Sequence, residues 1–250
     1  MPGAAVGGTA RACAFHPQSP GGRPHVKLTH VTPDTRAVPR FRDRQVAGRE
    51  LANALARYAG RPDVLVLALP RGGVPVAAEV AHALDLPLDV LIVRKLGVPG
   101  HEELAFGALA SGGARVMNDD VVGALQIKPE TIERVARRER LELERREQAY
   151  RGTRPPIAVR DREVILIDDG IATGATMRAG VVALRTLGPA RIIVAVPAAS
   201  KDACSLLRRE ADEVCSLIEP EDFRAVGAWY ESFPQNTDAE VSALLSAARR

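Results

Sequence analysis

Aromatic residues make up only 4% of the 250 residues, so the interior must be built from Ala, Val, Leu and Ile. Cysteine is equally scarce: Cys13, Cys204 and Cys215 are odd in number and lack C-x-x-C spacing, in a chain too large to need stapling. A disulfide framework is excluded, and a reducing cytoplasm is the expected setting. No uninterrupted apolar run approaches the roughly 18 residues that cross a bilayer, and no hydrophobic segment precedes a cleavage site near the start. Neither insertion nor secretory export is expected. Charge of one sign is also missing, since 34 basic and 31 acidic residues leave +3. Five of the cations (Arg11, Arg23, Lys27, Arg36, Arg40) fall in the first 40 residues, where Asp34 is the sole acid. The remainder is close to neutral, which disfavours nucleic acid as a partner.

Residues 1–40 hold six Pro and five Gly without helical or strand periodicity, and read as a disordered N-terminal extension. An Arg-rich, acid-poor leader also fits a transit peptide, although the amphipathic pattern is missing. Several chemistries lack their motifs. No G-x-x-x-x-G-K-[ST] and no G-x-G-x-x-G follows an early strand, which sets aside Walker-type NTPases and dinucleotide binding. His101-Glu102-Glu103 lacks a second His at metalloprotease spacing, and His16, His25 and His30 lie in the extension, so no protein-built metal cage is expected.

From Phe41 the pattern becomes that of a folded domain reaching residue 250. Asp43 caps an expected helix to about Tyr58, which Gly60 ends. Apolar runs of strand length at Val64–Leu69, Leu88–Val93, Val164–Ile167, Ile192–Val196 and Glu213–Ile218 alternate with helical patterns at Val76–Leu84, Thr176–Leu187 and Lys201–Glu210. Continuous apolar strands are buried on both faces, so the expected fold is α/β, with about five parallel strands between helices. Phe106–Ala110 and Ala114–Met117 suggest a short hairpin. Thr131–Tyr150 reads as a long helix with a solvated face of mixed charge, and a last helix starts at Asp238.

The most informative stretch is Val164-Ile165-Leu166-Ile167-Asp168-Asp169-Gly170-Ile171-Ala172-Thr173-Gly174-Ala175-Thr176. A strand delivers two acids at its carboxyl end, and a loop of small residues and hydroxyls then opens into a helix. Gly170, Gly174 and Ala175 let an anion approach the backbone N–H groups, and Thr173 and Thr176 add hydroxyls, so the loop suits a phosphate. The carboxylates would repel that phosphate but can accept hydrogen bonds from vicinal sugar hydroxyls. The ligand this implies is a ribose 5-phosphate.

This stretch resembles the 5-phosphoribosyl-1-pyrophosphate (PRPP) motif of the type I phosphoribosyltransferases, closest to the bacterial members of unassigned substrate. Leu69-Pro70-Arg71-Gly72-Gly73 is similar to that family's pyrophosphate loop, and Arg94-Lys95-Leu96-Gly97-Val98-Pro99-Gly100 to the strand end and flexible loop of its adenine-type members. The resemblance covers about Phe41 to Ile218. It implies transfer of phosphoribose from PRPP to a nitrogenous base, with pyrophosphate release, or alternatively a non-catalytic PRPP-binding regulator. It assigns Asp168 and Asp169 to the ribose, Gly170, Ile171, Ala172, Thr173, Gly174, Ala175 and Thr176 to PRPP, and Arg71, Gly72, Gly73 and Lys95 to pyrophosphate. Arg71, Lys95, Asp168 and Asp169 are the expected catalytic residues. It further implies Mg²⁺ arriving on PRPP, a cis Pro70–Arg71 peptide, and a loop from Gly97 to Leu104 closing over the site. A hood built from about residues 219–250, including Phe223 to Phe233, and from the Phe41 region would contact the acceptor; a homodimer stays open. Ala172 stands where oxopurine-type members carry an acid, which disfavours guanine and hypoxanthine, with Glu102 or Glu103 as candidate acid or base.

Overall fold

The computed structural model describes residues 40–248, so the expected extension lies outside the described residues apart from Arg40. Asp43 caps the first helix, α1 (Arg44–Ala54), by accepting the Val46 N–H at 2.8 Å. A 3-10 turn over Ala56–Tyr58 then carries the chain to Gly60, whose φ of +65° suits glycine. The Val46 N–H holds the Asp43 carboxyl below its usual range. Asp43→Ala is expected to cost about 1 kcal/mol, measured by urea unfolding. Because the folded state lowers this pKa, the contribution is present above the ordinary carboxylate range and is lost as the pH falls below it.

Five parallel strands form the main sheet: β1 (Val64–Ala68), β2 (Leu88–Val90), β6 (Glu163–Ile167), β7 (Arg191–Ala198) and β8 (Glu213–Ile218), in the order β2-β1-β6-β7-β8. Along β1, Val64, Val66 and Ala68 enter one core and Leu65 and Leu67 the other, as an apolar strand buried on both faces requires. The first core is shared with α1, α2 (Gly73–Leu84), α4 (Pro129–Arg151) and α7 (Asp238–Ala247), the second with α5 (Ala175–Thr186) and α6 (Lys201–Leu207). Cys204 and Cys215 are buried small residues, and burial pushes their thiols up to about 12 and about 11. No helix among the described residues is long and apolar enough to cross a membrane.

The apolar run at Leu88–Val93 divides between two sheets. After β2 the Leu91 N–H still bonds Ala68, but at Val93 the chain enters a three-stranded antiparallel sheet of β3 (Val93–Val98), β4 (His101–Ala110) and β5 (Ala114–Met117). Leu91 and Ile92 at the junction are buried and Val93 is partly so, and hydropathy alone cannot mark the change. The expected hairpin is present, and β3 extends it. Gly97 to Leu104, expected as a flexible loop, is instead a paired arm: Pro99-Gly100 makes a tight turn with Gly100 at φ +82°, and Val98 faces His101. A short helix α3 (Asp119–Ala124), which the sequence did not suggest, connects this sheet to α4.

The charged helix α4 is not solvated throughout. Glu139, 6% exposed, takes Arg94 of β3 at 2.6 Å, and Arg151, 4% exposed, reaches the wholly buried Asp89 of β2 at 3.0 Å. These two ion pairs fasten α4 to both sheets.

Candidate functional site

The strand order reverses between β1 and β6, the position where an open α/β sheet leaves a crevice at the carboxyl ends of its strands. β1 delivers Pro70–Gly73 there and β6 delivers Asp168 and Asp169. The two segments are in close contact. A Cβ built on Gly72 would stand 2.0 Å from Asp169 Oδ2, and one on Gly73 would stand 2.7 Å from the Ile167 carbonyl and 2.8 Å from Asp168 Cα. No larger residue fits either position without moving the acids. The Pro70–Arg71 peptide is cis.

Both motifs open helices at a glycine, which brings no capping side chain, although the first N–H of α5, that of Ala175, reaches Thr173 Oγ1 at 3.5 Å. Gly72 precedes α2 and Gly174, at φ +78°, precedes α5, and neither donates a capping oxygen. Elsewhere Asp43, Asn118, Ser200 and Thr237 cap α1, α3, α6 and α7 in the ordinary way, while α4 starts at Pro129 after Lys128 without a side-chain cap. Ala172, Thr173, Ala175 and Thr176 are exposed around the start of α5. Ile171 anchors the loop: its side chain is buried, its N–H bonds Ala198 and its carbonyl accepts the Ser200 N–H. Ser200 Oγ also donates to the Ala172 carbonyl at 2.6 Å.

The acids themselves are half-buried. Asp168 Oδ1 accepts the Asp169 N–H at 2.9 Å. Burial, and next the negative charge of Asp169, pushes the Asp168 carboxyl well above its usual range. Burial also raises Asp169, opposed by Arg44. Arg44 donates from Nε to Asp169 Oδ2 at 2.8 Å, with Nη2 equally close to the same oxygen.

A family model described as a phosphoribosyl transferase domain matches residues 41–231. The chain belongs to that family. Two curated Mycobacterium tuberculosis proteins, Rv0571c of strain H37Rv and MT0597 of strain CDC 1551, carry the provisional name phosphoribosyl transferase and are each 47% identical over 210 residues, 84% of this chain and 47% of their own length. The chain thus spans about half the length of the curated relatives it matches. The crystal structure of TT1426 from Thermus thermophilus is 47% identical, covers 82% of this chain and 97% of its own, and superposes with a TM-score of 0.75.

In this phosphoribosyltransferase-type fold the residues expected from sequence divide into two groups. Gly72, Gly73, Asp168, Asp169 and the 170–176 loop come together. The two cations turn to other acids: Arg71 lies 3.9 Å from Asp238 at the start of α7, and Lys95 on β3 lies 3.7 Å from Glu103. Among the described residues neither is ion-paired to Asp168 or Asp169. Glu102 is exposed on β4 and accepts the Gly100 N–H at 3.2 Å; hydrogen bonds from its own N–H and that of Gly100 lower its pKa.

The Phe41 and Phe223–Phe233 segments, expected to form a hood, lie against one another. Phe41 pairs with Tyr230, its N–H bonds the Trp229 carbonyl at 2.9 Å, and Val226 Cγ1 lies 2.6 Å from where a Cβ on Gly170 would sit. Trp229 and Tyr230 are 6% and 4% exposed, so they pack within the hood and do not offer free faces for stacking. Tyr230 donates its hydroxyl to the Asp169 carbonyl at 2.5 Å.

Arg44 was missed in the sequence, although a signal existed. A cation in the first turn of α1, at the positive end of the helix dipole, is unfavourable unless an acid elsewhere neutralises it.

Proposed function

We propose that the protein transfers the 5-phosphoribosyl group of PRPP to a nitrogenous base and releases pyrophosphate. The observation that carries this reading is the convergence of two glycine-started helix N-termini on one acid pair. One N-terminus suits the 5-phosphate and the other the pyrophosphate, while the carboxylates between them suit the ribose hydroxyls.

In the reaction the C1–O bond breaks, its electron pair leaves on pyrophosphate, and the base nitrogen bonds to C1. Asp168 and Asp169 orient the ribose and lie beside the cationic ring. The N–H groups of Arg71 and Gly72 stabilise the leaving group, joined by the Arg71 and Lys95 side chains once they exchange Asp238 and Glu103 for the ligand, while the Gly73 N–H stays on the Leu69 carbonyl at 3.1 Å. The donor set fits a hydrated divalent cation: hard carboxylate oxygens lie beside a backbone cradle for the diphosphate that carries the metal. Mg²⁺ bound on PRPP would neutralise charge growing on the leaving group. Ala172 offers no proton relay, so adenine, a pyrimidine or another base is favoured over hypoxanthine and guanine.

A PRPP-binding regulator is the second reading, favoured by the pairing of Arg71 and Lys95 away from the acids. Titrating PRPP·Mg²⁺ in a calorimeter and screening nucleobases for pyrophosphate release separates the two. Binding with release on a base supports the enzyme, and binding without release supports the regulator. Asp168→Asn combined with Asp169→Asn is expected to weaken PRPP at least tenfold, about 1.4 kcal/mol. Unchanged affinity would remove the assignment.

A further inference from the structure

Ser200 holds two successive carbonyls of the 170–176 loop. Just beyond the end of β7, its backbone N–H donates to the Ile171 carbonyl at 2.9 Å and its Oγ donates to the Ala172 carbonyl at 2.6 Å. The same Oγ accepts the Ala203 N–H at 3.2 Å, as the cap of α6. A hydroxyl has one proton to give. Because the Ala203 N–H can only donate, it takes a lone pair of Oγ, and the hydroxyl proton is left for the Ala172 carbonyl.

These two bonds decide which way the loop presents its backbone. In a planar trans peptide the C=O and the following N–H point in opposite directions. Tying the Ile171 carbonyl to Ser200 therefore turns the Ala172 N–H away from Ser200, and tying the Ala172 carbonyl does the same for the Thr173 N–H. Both residues are exposed, and among the described residues neither N–H has a protein acceptor. The Gly174 N–H likewise has none, and its φ of +78° carries the turn into α5. Successive unpaired N–H groups in such a turn form a concavity for an anion, whereas the same peptides turned over would present carbonyl oxygens and repel it.

Resting on the PRPP reading above, we propose that Ser200 is a positioning residue for the 5-phosphate, one that turns the peptides on either side of Ala172 so that their N–H groups face the ligand. The Ile171 bond uses the backbone of position 200 and is open to any residue other than proline. The Ala172 bond needs a hydroxyl, and only that half depends on the side chain. Serine and threonine alone combine a short donor for this carbonyl with an acceptor for the α6 cap.

Calorimetry of the full chain with two ligands tests this. Ribose 5-phosphate reports on the 170–176 loop, and pyrophosphate with Mg²⁺ reports on Pro70–Gly73, with which Ser200 makes no bond. Ser200→Gly removes the hydroxyl and costs the α6 cap little, since glycine is itself an acceptable cap residue. It is expected to weaken ribose 5-phosphate about fivefold, the worth of one neutral hydrogen bond, while pyrophosphate stays within about twofold of wild type. Ser200→Thr keeps the donor and the acceptor and is expected to restore ribose 5-phosphate binding. Unchanged ribose 5-phosphate affinity in the Gly variant overturns the proposal. Equal losses on both ligands, or a loss that Thr does not restore, mean that Ser200 supports the local fold alone, and the proposal fails. A wild type that does not bind ribose 5-phosphate removes the reading of the loop itself and the proposal with it, whereas a failure confined to the variants leaves that reading standing.

Discussion

Arg151→Met is expected to destabilise the fold by about 3–5 kcal/mol, the usual cost of leaving one member of a buried ion pair behind. Asp89 is wholly buried in β2, and Arg151 Nε faces both of its oxygens, at 3.0 and 3.2 Å. The substitution leaves Asp89 with the N–H groups of Val90, at 2.8 Å, and Ile157, at 3.0 Å, but without that guanidinium. Set against a typical total stability of about 5–15 kcal/mol, the loss is large, and it should appear as a melting temperature lower by roughly 10 °C. Combining it with Asp89→Leu should recover most of the loss, because an apolar pair of similar volume is often neutral. A single variant that loses less than about 1 kcal/mol in urea unfolding would show that Asp89 does not depend on this cation.

Gly72→Ala is expected to lower PRPP-dependent turnover about a hundredfold, while the thermal midpoint changes by only a few degrees. The new methyl group would overlap Asp169 Oδ2, so either the carboxylate or the Pro70–Gly73 loop must shift by about an ångström. Misplacement on that scale typically costs about 10² in rate. Steady-state kinetics on whichever base is found to accept phosphoribose would measure it. Turnover within twofold of wild type would mean that the contact between the two loops is not part of the working geometry.

Much of this arrangement was legible in the sequence because the relevant signals are local. The strand, acid pair and small-residue loop from Val164 to Thr176 combine a period, a burial pattern and a helix start in 13 consecutive residues. Asp43 reads as a cap for the same reason. What failed to show were facts decided across the fold. Hydropathy could not reveal that Leu88–Val93 serves two sheets, since the run is apolar at both ends. Pro99-Gly100 did carry a turn signal, and the run from Gly97 to Leu104 is a hairpin arm because strand pairing took precedence over its glycines. Asp89 within the apolar Leu88–Val90 strand was a further unused signal, because an acid buried on both faces demands a cationic partner, which α4 supplies from 62 residues away. Arg44 belongs to the same class, with Asp169 lying 125 residues further along the chain.

That separation has a consequence for how the protein matures. Arg44 comes from the first helix, Asp169 from the middle of the chain, and Pro234 from a segment 190 residues beyond Arg44. During synthesis the acid pair emerges long before the hood that seats its counter-ion. A nascent chain stalled before Phe233 would hold both acids and both glycine loops, yet lack the Phe233 ring and the Pro234 carbonyl that fix the Arg44 guanidinium. Completion of the site therefore coincides with completion of this part of the chain.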